Sequence, residues 1–135
     1  MPRWFAVVML IIVVTISSCN SRCRLDIDAY RDSLTPMLDE WKSIFDDTFT
    51  DVAAASDSAA LDKIKALQAI RSAVADVDAP TCTGFAHTSL LLYMDHRVNA
   101  LLTVIRGGAP DEVKQYTDKA TEAKQQWLNK LDNAY

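Results

Sequence analysis

Apolar side chains recur along most of the chain in alternating steps of three and four residues, the spacing that lines one face of an α-helix. From about Leu25 to Ala55 the stripe is Ile27, Tyr30, Leu34, Met37/Leu38, Trp41, Ile44/Phe45, Phe49 and Val52, with Asp28, Asp32, Asp39 and Asp46 near the opposite side. A second stripe, Leu61, Ile64, Leu67, Ile70, Val74 and Val77, predicts a helix from about Ser58 to Asp78. A third, Leu90, Leu91, Met94, Val98, Leu101, Leu102 and Ile105, predicts one from about Phe85 to Arg106. A fourth runs through Val113, Tyr116, Ala120, Ala123, Trp127, Leu128 and Leu131, nearly to the last residue. No stretch after residue 18 clusters β-branched residues with period-two alternation, so the chain reads as all-α.

The boundaries carry their own signals. "DAPTCTG" (78–84) stops the second helix with Pro80 and Gly84, and Gly107-Gly108 ends the third. Pro110 suits the first position of the fourth helix, where Asp111 and Glu112 meet its positive end. Pro36 interrupts the first stripe, because a proline removes a backbone donor and crowds the preceding turn. The expectation is an up-and-down four-helix bundle with the first helix kinked or interrupted at Pro36, Thr35-Pro36 being a suitable fresh start. A short arm before Pro36, folded back under the bundle, would absorb the excess length of segment one over segment two.

The amino terminus follows a different pattern. Trp4 to Ile16 is thirteen residues without charge, glycine or proline, behind Arg3 and ahead of Ser17-Ser18. That is too short to span a hydrocarbon core needing about 20 helical residues. Basic, apolar and small segments in that order describe a secretory signal peptide. Its end, Ile16-Ser17-Ser18-Cys19, resembles the lipobox of bacterial lipoproteins. The resemblance implies cleavage before Cys19, a diacylglyceryl group on the Cys19 thiol and anchorage in the cell membrane or outer membrane, on its extracytoplasmic side. The domains expected are then a signal peptide at 1–18, a lipidated tether at 19–24 and the helical domain at 25–135. An ordinary cleaved signal and an uncleaved anchor flanked by Arg22 and Arg24 are the alternatives. Cys23 is a poor second acceptor, since Arg22 stands where a small residue belongs.

With Cys19 taken by lipid, Cys23 and Cys82 remain as an even pair in an exported chain, where disulfides persist. Two free thiols are the alternative. In an up-and-down bundle the start of the first helix and the turn between the second and third share one end, so a disulfide fits the topology. The tether places that end next to the membrane, with Ala53–Ser58 and Gly107–Pro110 at the far end.

Candidate chemistry is sparse. The net charge of −4 and pI near 5.0 speak against a nucleic-acid binder. His87 and His96, nine residues apart on one helix, fall on opposite faces and do not jointly hold a metal. His87 lies on the apolar face as a candidate core ligand for a haem or metal, with Met37 or Met94 as second ligand; a hydrogen-bonded structural histidine is the plainer reading. His96 is placed on the solvent side. No Glu-x-x-His pair, Cys-x-x-Cys-His or glycine-rich phosphate loop occurs, so no cofactor and no enzymatic reaction are expected. The acidic row on segment one reads as a solvated face. Phe85, Leu92 and Tyr93 lie off the main apolar face of the third helix and form a candidate partner patch. The expected function is a membrane-anchored protein-interaction module; the alternative is a ligand- or cofactor-binding sensor with His87 in the core.

Overall fold

A computed structural model describes the backbone of residues 2–52 and 57–134 and the side chains of residues 22–49 and 58–134. Four helices, α1 (Pro2–Val52), α2 (Asp57–Ala75), α3 (Ala86–Ile105) and α4 (Pro110–Asp132), pack as a four-helix bundle, with one 3₁₀ turn at Thr81–Thr83. The described residues contain no strand. Antiparallel order follows from the short connections, and the core is drawn from the stripes, although Phe49, Leu61 and Leu128 of those stripes are exposed. Ile27, Leu34, Leu67, Val74, Leu90, Met94, Leu101 and Leu131 are sealed from solvent. Burying one such side chain contributes about 1.5–3 kcal/mol.

The first helix differs from expectation at Pro36. The helix runs unbroken through it, and the interruption and the folded-back arm do not occur. Pro36 is exposed, so its ring projects into solvent, while Leu34 on one side and Met37 and Leu38 on the other pack into the core. The hydroxyls of Ser33 and Thr35 donate to the carbonyls of Tyr30 (2.7 Å) and Arg31 (2.8 Å), local side-chain bonds to the helix backbone just before the proline. The excess length of α1 is met elsewhere. α2 stops at Ala75, three residues before the expected Asp78, and the connection continues through a turn at 76–77, a non-helical stretch at 78–80 and the 3₁₀ turn. Val77, Asp78, Ala79 and Pro80 of this connection face Asp26, Ala29, Tyr30 and Ser33 across a shallow cleft.

Gly107 closes α3 with φ +70°, a left-handed cap, and Gly108 donates to the Thr103 carbonyl at 2.8 Å. A side chain at Gly108 would collide with that of Thr103. Pro110, Asp111 and Glu112 open α4 as expected.

The four seams are unequal. α3 and α4 approach most closely, then α1 and α2, then α2 and α3. The backbones of α1 and α4 approach each other less than any of these pairs.

Candidate functional site

Cys23, well inside α1 at the level of the α2–α3 connection, and Cys82 in the 3₁₀ turn meet at disulfide distance, with Cα atoms 6.1 Å apart. The loop they close separates them by 59 positions. Ala134, beyond α4, lies against Cys23 (Sγ to carbonyl oxygen 3.5 Å). Near the same end the Arg31 guanidinium pairs with Asp132 at 3.3 Å, tying α1 to α4. Trp4–Ile16 and the Ile16–Cys19 sequence fall outside the residues whose side chains are described. The helical backbone between positions 19 and 23 puts them one turn apart, about 6 Å along the axis.

Just above this end lies a buried polar cluster. The Tyr30 hydroxyl on α1 and Nδ1 of His87 on α3 are 2.8 Å apart, with the rings edge to face. Burial raises the Tyr30 phenol to about 12, and the nearby Trp127 indole N–H on α4 pulls it partly back. The His87 imidazole is pushed below its ordinary value, chiefly by burial; the Ala75 backbone opposes this and the Arg71 charge adds to it. A neutral imidazole accepting from the phenol is the arrangement these environments favour. Nε2 of His87 and Nε1 of Trp127 are buried with no hydrogen-bond partner of good geometry among the described residues. The sequence placed His87 on the core face, and its partner in space is Tyr30, which the apolar stripe had marked only as packing. No group of three or more His, Cys, Asp or Glu side chains among the described residues is placed to hold a metal ion.

His96 is a correction. It is half-buried, not on a free solvent face, and packs against Tyr116 of α4, ring centroids 6.4 Å apart. The side of α3 assigned to solvent is where α4 lies. Asp95 turns away to α2, where Nε and Nη2 of Arg71 each donate to its carboxylate at 2.8 Å. That bidentate pair raises the Arg71 pKa.

Of the candidate partner patch, Phe85 and Leu92 are exposed and Tyr93 is set apart from them. Phe85 is 74% exposed at the start of α3, below the Lys130 ammonium. Leu92 is 44% exposed in a shallow hollow with His96, Lys119 and Gln126. Tyr93 lies on the other side of the α3–α4 contact, half-buried against Trp41 with ring centroids 5.7 Å apart. One residue of helix turns by 100°, and α4 fills the sector between them.

A second aromatic group had no sequence signal beyond its stripe. Trp41 and Phe45 stack at 5.2 Å, Phe45 and Phe49 at 6.3 Å, and Phe49 ends the row 59% exposed. The Arg97 guanidinium of α3 sits 4.0 Å over the Phe45 ring. The Tyr93 phenol beside it is raised by burial, lowered by the Arg97 charge and raised by that of Asp46. Arg97 and Lys124 have no carboxylate within ion-pairing distance among the described residues.

The chain matches no family model, no curated protein and no solved structure.

Proposed function

We propose that the chain is a small lipid-anchored envelope protein whose helical bundle acts as a protein-interaction module outside the cytoplasm. The observation that carries the reading is the meeting of Cys23 and Cys82 at one end of the bundle. A disulfide there persists in an exported protein and not in a reducing cytosol. It is consistent with the lipobox-like Ile16–Cys19 sequence, which assigns the third cysteine to a lipid. The anchor, the paired cysteines and the α1–α4 contacts of Arg31 and Ala134 then crowd one end. The remainder of the bundle stands away from the membrane with its side-chain surface exposed.

Fractionation of the native host tests this. The wild-type chain is expected in the membrane fraction, and Cys19→Ala is expected either to retain its first eighteen residues or to leave the membrane. Site-directed crosslinking on the bundle surface is expected to trap an envelope or secreted protein. A wild-type chain found in the cytosol with reduced cysteines would overturn the reading.

A further inference from the structure

The seam between α1 and α4 is closed at one end and open along the rest. Arg31–Asp132 and the contact of Ala134 with Cys23 hold the closed end. Above them a groove of about 380 Å³ is lined by Leu34 and Leu38 of α1 and by Trp127, Leu128 and Leu131 of α4. Leu128 also borders the next hollow, of about 350 Å³, whose walls include Tyr93 and Arg97 of α3 with Thr121, Lys124 and Gln125 of α4. The two adjoin at Leu128, and Tyr93 and Arg97 are the α3 residues that border the upper one. From Leu131 to Ala120 this path covers eleven residues of α4, about 16 Å or three helical turns.

Its chemistry changes along its length. The lower part is apolar, and Leu128 is 36% exposed there. The upper part holds two cations that lack carboxylate partners, in a protein where acidic groups outnumber basic ones by 18 to 14. Arg97 is fixed in place over Phe45, and its Nε is buried without a hydrogen-bond partner among the described residues. No carboxylate lines the upper hollow. Phe49, stacked on Phe45, extends an exposed aromatic surface toward the far end of α1.

We propose that this seam receives a short amphipathic helix of a partner protein, as a fifth helix of about three turns. Its apolar side chains, spaced i, i+3/i+4, i+7, cover Leu38, Trp127 and Leu128, and its acidic residues pair with Arg97 and Lys124. A free small anion would use the upper hollow and leave the lower groove uncovered, so the meeting of the two at Leu128 favours the helix. The inference rests on the interaction-module reading above and names the face and the partner's chemistry.

The test uses the full chain in its native host, with a photo-crosslinking residue at Gln125, and in separate strains at Phe85 and at Gln68 on α2. The crosslinked segment is identified by mass spectrometry. Expected is a crosslink from Gln125 to an acidic, amphipathic helical segment, with Lys124→Glu and Arg97→Met each cutting its yield about tenfold. Thermal melting of both variants checks that they fold, and the solvent-facing Lys124 supplies the variant least able to disturb packing. A partner trapped from Phe85 or Gln68 and not from Gln125 overturns the seam and leaves the module reading standing. A Gln125 crosslink indifferent to Lys124→Glu, or one to a basic segment, overturns the proposed chemistry. So does loss of the crosslink in millimolar citrate or phosphate with saturable binding of that anion at Arg97. No crosslink from any position overturns both readings.

Discussion

The two ends of the α1–α4 seam are built from the same two helices and behave differently. At the base, the Arg31–Asp132 ion pair and the contact of Ala134 with Cys23 join the two helices. Higher up, the same stripes continue through Leu38, Phe45, Leu128 and Ala120, yet the backbones of α1 and α4 approach each other less than the other neighbouring pairs do, and Tyr93 and Arg97 of α3 line a hollow beside α4. Continuity of an apolar stripe fixes which face of a helix turns inward. It does not fix which neighbour closes over it. The base is held by long-range contacts between α1 and α4; the upper part relies on packing of α1 chiefly on α2 and of α4 on α3.

Breaking the base should therefore cost the most. Cys23→Ser with Cys82→Ser is expected to lower stability by about 4 kcal/mol, the loop entropy of a closure this long, read from the midpoint of urea unfolding. Within the seam, Leu34→Ala is expected to cost about 3 kcal/mol because it empties a fully enclosed site. Leu128→Ala, on the open stretch, should cost less than about 1 kcal/mol. Equal losses from the two leucines would erase the distinction between the regions.

A smaller effect sharpens the comparison by pH. His87 sits in the closed half with its pKa lowered by burial, so the unfolded chain takes up a proton before the folded one does. Stability is then expected to fall as pH drops below the ordinary histidine value near 6.5, and to be fully present above it. His87→Gln, which still accepts from Tyr30, should flatten that decline in melts between pH 7 and pH 5. The smallest expected change is Phe49→Ser in the open half, within about 0.5 kcal/mol in the free protein.

Much of this architecture is legible in the sequence. The three-four spacing marks the helices, and Gly107, Gly108 and Pro110 mark the third connection. The end shared by Cys23 and Cys82 follows from antiparallel order alone. Pro36 was misjudged in part, because a proline whose ring faces water can stay in a helix that is packed on both sides of it. His96 was misplaced because a helical wheel has no knowledge of the neighbour, here α4; Tyr93, off the main apolar face, is half-buried against Trp41. The Tyr30–His87 bond and the Arg97 perch over Phe45 join residues 57 and 52 positions apart, and no local spacing encodes them.

Intact-mass spectrometry of the chain from its native membrane tests the central claim most directly. The account predicts a polypeptide beginning at Cys19, heavier than its sequence by a diacylglyceryl modification, with Cys23 and Cys82 resistant to alkylation until reduced. A chain that keeps its first eighteen residues without lipid, and whose Cys23 and Cys82 alkylate before reduction, would contradict it.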